Sequence, residues 1–311
     1  MSYSQGGIIA ATDYNTIVGT SPSSTPNQIN TVWAVGNGNV GYGQTALSQV
    51  AATGVVTATQ WATAINTLNS IRSHQSGSGT GIGAPTAGGL ITYLSSFQSN
   101  VNAIYANALV FSAQGTTTTG TVFTANIVAA NDVTYSATAA TRTVTFTNGD
   151  AARYFFNAGG QINLVVTSVV NNNNTQRSAD AITTISTNWG GFSAFRAKVN
   201  GQRTGTGGTL AGGGYTSGYY GLTTANVTVA QVTSSNTTYT SDTVTCLTKS
   251  NGTQGTNADA GSIITLYLNY NSAHTSGFND ALSVTLNHRI DVVYPELTNL
   301  TANTWGAVVI A

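Results

Sequence analysis

The chain changes its hydrophobic pattern near residue 113. Before that point apolar residues recur every three or four positions, and after it they alternate with polar ones. The clearest early segment is Gly41–Gly77, which opens on glycine-spaced residues. Thr57 is placed to cap a helix beginning near Ala58. Trp61, Ala64, Ile65, Leu68 and Ile71 then follow at spacings of three and four, as one apolar stripe. Arg72 and His74 occupy the last turn, where cations suit the carbonyl end, and Gly77 and Gly79 stop the helix. Leu90, Leu94, Phe97, Val101 and Ile104 are spaced 4-3-4-3 and predict another helix up to about Ala108. That seam packs either on the Trp61 helix or on the same seam of a neighbouring chain. Shorter helices are predicted from Thr12 or Asp13 through Val18, and from Thr25-Pro26 to Gly36 with Ile29, Val32 and Trp33 on it. Residues 1–12 read as an extended arm, with Gly6-Gly7 as a pivot and Ile8-Ile9 as an apolar patch.

From about Gly115 the period is two. The runs around TVFTANIV and TRTVTFTN flank Asn131-Asp132 as antiparallel strands. ARYFF and QINLVVTSVV, on either side of Asn157-Ala158-Gly159-Gly160, read as a hairpin. A helix is predicted near Ala179–Asn188, closed by Gly190-Gly191. Strands return in FSAFRAKV, NVTVAQVT, YTSDTVTCLT, GSIITLYLNY and ALSVTLNHRIDVVYP, with GAVVIA as a candidate last strand. The expected fold is α+β: a helical region over 1–112, then an antiparallel β-sandwich over 113–311 with one edge helix.

Composition narrows the function. Charged residues are 6% of the 311, against about a quarter in ordinary domains, while hydrophobic content is 41%. Thr, Ser, Asn, Gln and Gly fill the difference. Nine acids balance nine bases, so no field favours nucleic acid or an anionic membrane. A surface near zero charge resists self-association poorly, which suits a chain that stacks on its own copies. The single cysteine, Cys246, excludes an internal disulfide and sits in an alternating run as a small buried residue. No secretory signal and no apolar run of membrane-spanning length is visible.

Several stretches carry a resemblance. SQGGIIAATDYNTIVG, INTVWAVGNGNVGYGQ and VTATQWATAINTLNSIRSHQSG, with the later ARYFFNAGGQINLVVT and ISTNWGGFSAFRAK, resemble a family of virion structural proteins of tailed bacteriophages. These are notably the large contractile-tailed phages of cyanobacteria and other aquatic bacteria. The resemblance implies a non-enzymatic, self-associating part of a tail, fibre or tube, made in the host cytoplasm and released by lysis. Its partners would be copies of itself and other virion proteins, and it implies no catalytic residues and no cofactor.

Candidate chemistry is sparse. His288, Asp291 and Glu296 are close in sequence, preceded by His274 and Asp280, but on a strand His288 and Asp291 face opposite sides, so they do not converge as metal ligands. No serine is marked as a nucleophile, and no pair of carboxylates is marked for glycoside cleavage. Tyr215, Tyr219 and Tyr220, on a glycine-rich loop, either contact a host glycan or partner, or pack that loop on its own sandwich. Ile8, Ile9, Trp33, Trp61 and Leu94 are the residues expected in self-association surfaces or in the core beneath them. A free environmental filament and a carbohydrate-binding adhesin are the competing readings.

Overall fold

The computed structural model describes residues 10–86, 94–171, 175–198, 202–210, 218–255, 258–272 and 280–311; the side chains of Leu94 and Gln202 lie outside the description. The first third contains α1 (Ala11–Val18), α2 (Ile29–Trp33), α3 (Ala58–Ser76) and α4 (Leu94–Ala106). Helix α3 forms where its cap predicts. The Thr57 hydroxyl accepts from the Gln60 amide at 3.2 Å, and the Gln60 side chain accepts from the Thr57 amide at 2.8 Å, so two orphan donors are satisfied reciprocally. Gly77 ends it in the left-handed region at φ 79°. The stripe Trp61, Ala64, Ile65, Leu68 and Ile71 is buried. Trp61 meets the ring edges of Tyr14 from α1 and Phe97 from α4 at 5.5 and 5.7 Å. Phe97, Val101 and Ile104 are likewise buried, so the described part of the heptad-like seam is closed within one chain. Helix α2 starts later than Thr25-Pro26 predicts, at Ile29 with Gln28 as its N-cap.

The β part has two antiparallel sheets packed as a sandwich, as expected. Strands β1 (Gln114–Thr118), β2 (Phe123–Ala129), β4 (Gln161–Val170), β5 (Gly191–Phe195), β6 (Gln202–Arg203) and β11 (Leu282–Pro295) form the first. Its order is β1-β11-β4-β5-β6, and β2 pairs with β11 through Leu282↔Ala129 to His288↔Phe123. The second runs β12-β3-β10-β9-β8-β7. Its strands are β3 (Tyr135–Thr145), β7 (Thr209–Leu210), β8 (Val227–Thr233), β9 (Thr243–Ser250), β10 (Ile263–Ser272) and β12 (Val309–Ile310). Burial alternates strictly along β9 and β10, so Val244, Cys246, Ile264, Leu266 and Leu268 face inward. Leu282, Val284, Leu286 and Ile290 of β11 close the core from the other sheet.

One expectation fails. ARYFF is not a strand but lies in a helix, α5 (Gly149–Asn157). The Asn148 carboxamide accepts from the Ala151 amide at 2.8 Å, and Asp150 sits in the first turn, so the helix start is capped by a side chain and its dipole is met by a carboxylate. Phe155 and Phe156, adjacent in sequence, are both buried and pack on opposite neighbours, Trp305 and Tyr219 among them. The edge helix is present as α6 (Gln176–Ile182), capped by Thr175, and continues as a π-helical turn over Thr183–Trp189 that Gly190 ends at φ 67°. One hydrophobic cluster runs from Tyr14 and Trp61 through Phe155 to the inter-sheet residues.

Candidate functional site

The residues singled out in the sequence lie inside the chain wherever they are described. Trp33 and Trp61 are buried in the helical core, and the Trp33 indole nitrogen donates to the Thr45 carbonyl at 3.0 Å. They are core beneath a surface and present no ring to a neighbour. Ile8, Ile9 and Tyr215 lie outside the described residues, as does the Leu94 side chain. Tyr219 is fully buried, stacked on Phe156 at 4.4 Å. The Tyr220 hydroxyl donates to the Gly38 carbonyl at 2.7 Å and to Asn157 at 2.8 Å. Tyr219 is thus spent in packing the loop on its own fold, and Tyr220 is half-buried with its hydroxyl engaged inside the chain. Cys246 is free and buried, and burial pushes its thiol up to about 12.

Around these tyrosines lies a polar junction that no sequence motif announced. Arg153 of α5 is fully buried. Its Nη1 donates to the carbonyls of Gly36 and Val40 at 2.6 and 3.1 Å, and its Nε and Nη2 to Asp150 at 3.1 and 2.9 Å. The Asp259 carboxylate lies 3.9 Å away. Asn157, one turn on, donates to the carbonyls of Val40 and Gly41. One guanidinium and one carboxamide thus read the backbone of residues 36–41, alongside Gln44, which bonds Thr301 and Ala302, and His74, which bonds the Ala158 carbonyl. Gly43 sits at φ 71°, and a Cβ there would strike the Tyr154 ring at 2.5 Å, so this loop needs glycine both for its turn and for the approach of α5. A lone arginine in an apolar run, within a chain holding nine cations, is the signal that could have pointed here.

What remains for partners is the outside of the sandwich. On the first sheet, cross-strand rows read Asn126–Thr285–Val169 and Thr124–Asn287–Thr167, with Val128 beside Ser283. Thr124, Asn126, Val128, Thr167 and Val169 are exposed. The neighbouring Arg289 is paired with Asp291 at 3.0 Å, so its charge is largely cancelled. On the second sheet the outward residues of β9 and β10 are Thr243, Thr245, Leu247 and Lys249, and Ile263, Thr265, Tyr267, Asn269 and Asn271. They stand beside Thr143, Thr141, Thr138 and Ser136 of β3. Lys249 brings the one charge in these rows, and its ammonium lies 5.5 Å from the Tyr267 ring. Both faces are thus broad arrays of hydroxyls and carboxamides with interspersed apolar groups and almost no net charge.

Other sites are weaker. A groove of about 440 Å³ is lined by Thr116, Tyr294, Glu296, Leu297, Asn303 and Trp305 among others, but Asn303 is engaged by the Trp305 and Gly306 amides. Asp291 accepts from Arg289 and from the Gly120 amide, while His288 points between the sheets, so these two do not meet. Among the described residues no three His, Cys, Asp or Glu side chains are grouped to hold a metal, and no helix is long and apolar enough to cross a membrane. The fold and surfaces define an α+β sandwich protein with uncharged faces. No protein-family model, curated protein or solved structure matches the chain.

Proposed function

We propose that this chain is a non-enzymatic structural subunit that associates with copies of itself, as part of the tail or a fibre of a tailed-phage particle. The observation that carries the reading is the pair of wide, nearly uncharged sheet faces, which lack the charge that keeps sheet proteins apart. Rows of Thr, Asn and Ser offer donors and acceptors to a like surface, and Val128 and Val169 add apolar area without a desolvated charge. The placement in a virion rests on the sequence resemblance of residues 4–19, 29–44, 56–77, 152–167 and 185–198 to that family. The arm carrying Ile8 and Ile9 adds a second route, by joining the sheet edge of a neighbour as an extra strand.

The test is to place like charges on one face. Asn126→Lys together with Thr285→Lys sets two cations on neighbouring strands at exposed or half-exposed positions, outside the core. The light-scattering mass of the variant is expected to fall toward that of a single chain, with an unchanged circular-dichroism spectrum. A variant that assembles as the wild type does would remove this face from the account. Deleting residues 1–10 tests the arm in the same assay.

A further inference from the structure

Strand β11 places His288 where no hydrogen bond reaches it. The side chain is 2% exposed and projects into the space between the sheets, opposite Phe123 of β2 and Val166 of β4 in the strand register. Neither Nδ1 nor Nε2 has a partner. A small cavity beside it is lined by Ala140 and Arg142 of β3, Leu164 of β4, and Leu266 and Leu268 of β10. The Phe123 ring stacks on the imidazole at 6.2 Å, and the Arg142 guanidinium carbon lies over the Phe123 ring, 3.7 Å from its centroid, at the corner where β2 and β3 meet. Arg142 is the one charged group facing His288 among the described residues. Arg289 and Asp291, on the same strand, pair with each other.

We infer that His288 is an acid-sensitive latch on the β2–β3 corner: a proton on its buried imidazole, facing Arg142 across an apolar gap, loosens that corner and frees two strand edges. Strand β2 is bonded on one side to β11, and β3 over Tyr135–Arg142 to β10 alone, with β12 covering only its last residues. Neither strand contains proline, and Arg142 is the only charge on them, so once separated they are pairing templates. The energetics agree in sign. Burial first, and Arg142 second, draw the imidazole down from 6.5 to about 4. Above pH 6.5 the histidine is neutral in both folded and unfolded chains and contributes no pH dependence. As the pH falls from 6.5 toward 4, an imidazole released by opening of the corner takes the proton and the enclosed one does not. The closed-to-open ratio of the corner then declines by up to roughly 300-fold, and levels off once the enclosed histidine also titrates.

The latch holds whether or not copies assemble, and two measurements on the full chain test it. The first is hydrogen exchange near neutral pH and near pH 4, corrected for intrinsic rates. Amides of β2 and β3 are expected to lose protection in acid while those of α3 keep it, and His288→Leu is expected to keep β2 and β3 protected. Equal loss in His288→Leu and wild type, or no selective loss in wild type, overturns the proposal. The second is decided on the native chain, with one variant as a further check. The His288 ring resonance should titrate well below 6.5 in the native protein, and in Arg142→Met its midpoint should rise without reaching 6.5. A native midpoint at or above 6.5 refutes the latch.

Discussion

Replacing Arg153 with methionine tests the junction that joins the two halves of the molecule. Methionine fills a similar volume but removes both donors to the Gly36 and Val40 carbonyls and the ion pair with Asp150. It also leaves Asp259, whose side chain is fully buried, without its cationic neighbour. Breaking a buried pair from one side typically costs about 3–5 kcal/mol, because the remaining charge stays desolvated. The Asp150 side chain is 24% exposed, which softens its share, and the Val40 carbonyl keeps Asn157, whereas the buried bond to the Gly36 carbonyl is lost outright. A loss of about 4 kcal/mol follows, or roughly 6 °C in Tm for a chain of this length. Urea denaturation followed by far-ultraviolet circular dichroism reads it, and an unchanged slope would place the effect in the native state. Adding Asp259→Asn to Arg153→Met should recover part of the loss. A single variant within about 1 kcal/mol of wild type would refute the view that this guanidinium clamps residues 36–40.

Two further outcomes follow from burial. Trp61→Ala deletes the indole held between Tyr14 and Phe97 and should lower stability by about 3–5 kcal/mol in the same denaturation assay; a loss below about 1 kcal/mol would show that this cluster is not the centre of the helical core. Cys246, buried and with its thiol pushed up to about 12, should stay unreactive to a thiol reagent at neutral pH until denaturant unfolds the sandwich. Rapid labelling of the native chain would contradict its place in β9.

How much of this was legible in the sequence depended on how local the cause is. Helix α3 was legible because its cap, stripe and stop all lie within Thr57–Gly77. Strands β9 and β10 were legible because one buried face imposes strict alternation on each, and β11 because it alternates from Leu282 to Arg289. Helix α5 was misread because Tyr154, Phe155 and Phe156 favour strands by composition and Asn157-Ala158-Gly159-Gly160 resembles a tight turn. The cap Asn148 and first-turn Asp150 were the overlooked contrary signals. The partners of Arg153 and Arg177 were not legible, although a lone arginine in an apolar run marks Arg153 as unusual. Arg177 donates to the hydroxyl and carbonyl of Ser272, 95 residues away, and Arg153 to carbonyls more than 100 residues before it. Backbone acceptors leave no mark in residue identity. Tyr219 and Tyr220 show the same limit: the glycine-rich setting left both packing on the sandwich and contact with a partner open, and the ring on which Tyr219 stacks, Phe156, comes from a segment read as a strand.

The assembly claim is tested most directly by the mass and shape of the purified chain at neutral pH and moderate salt, using multi-angle light scattering with negative-stain images of the same sample. Regular particles, tubes or fibres containing many chains are the predicted result. A single-chain mass that persists as concentration rises, with no ordered particles in the images, would contradict it.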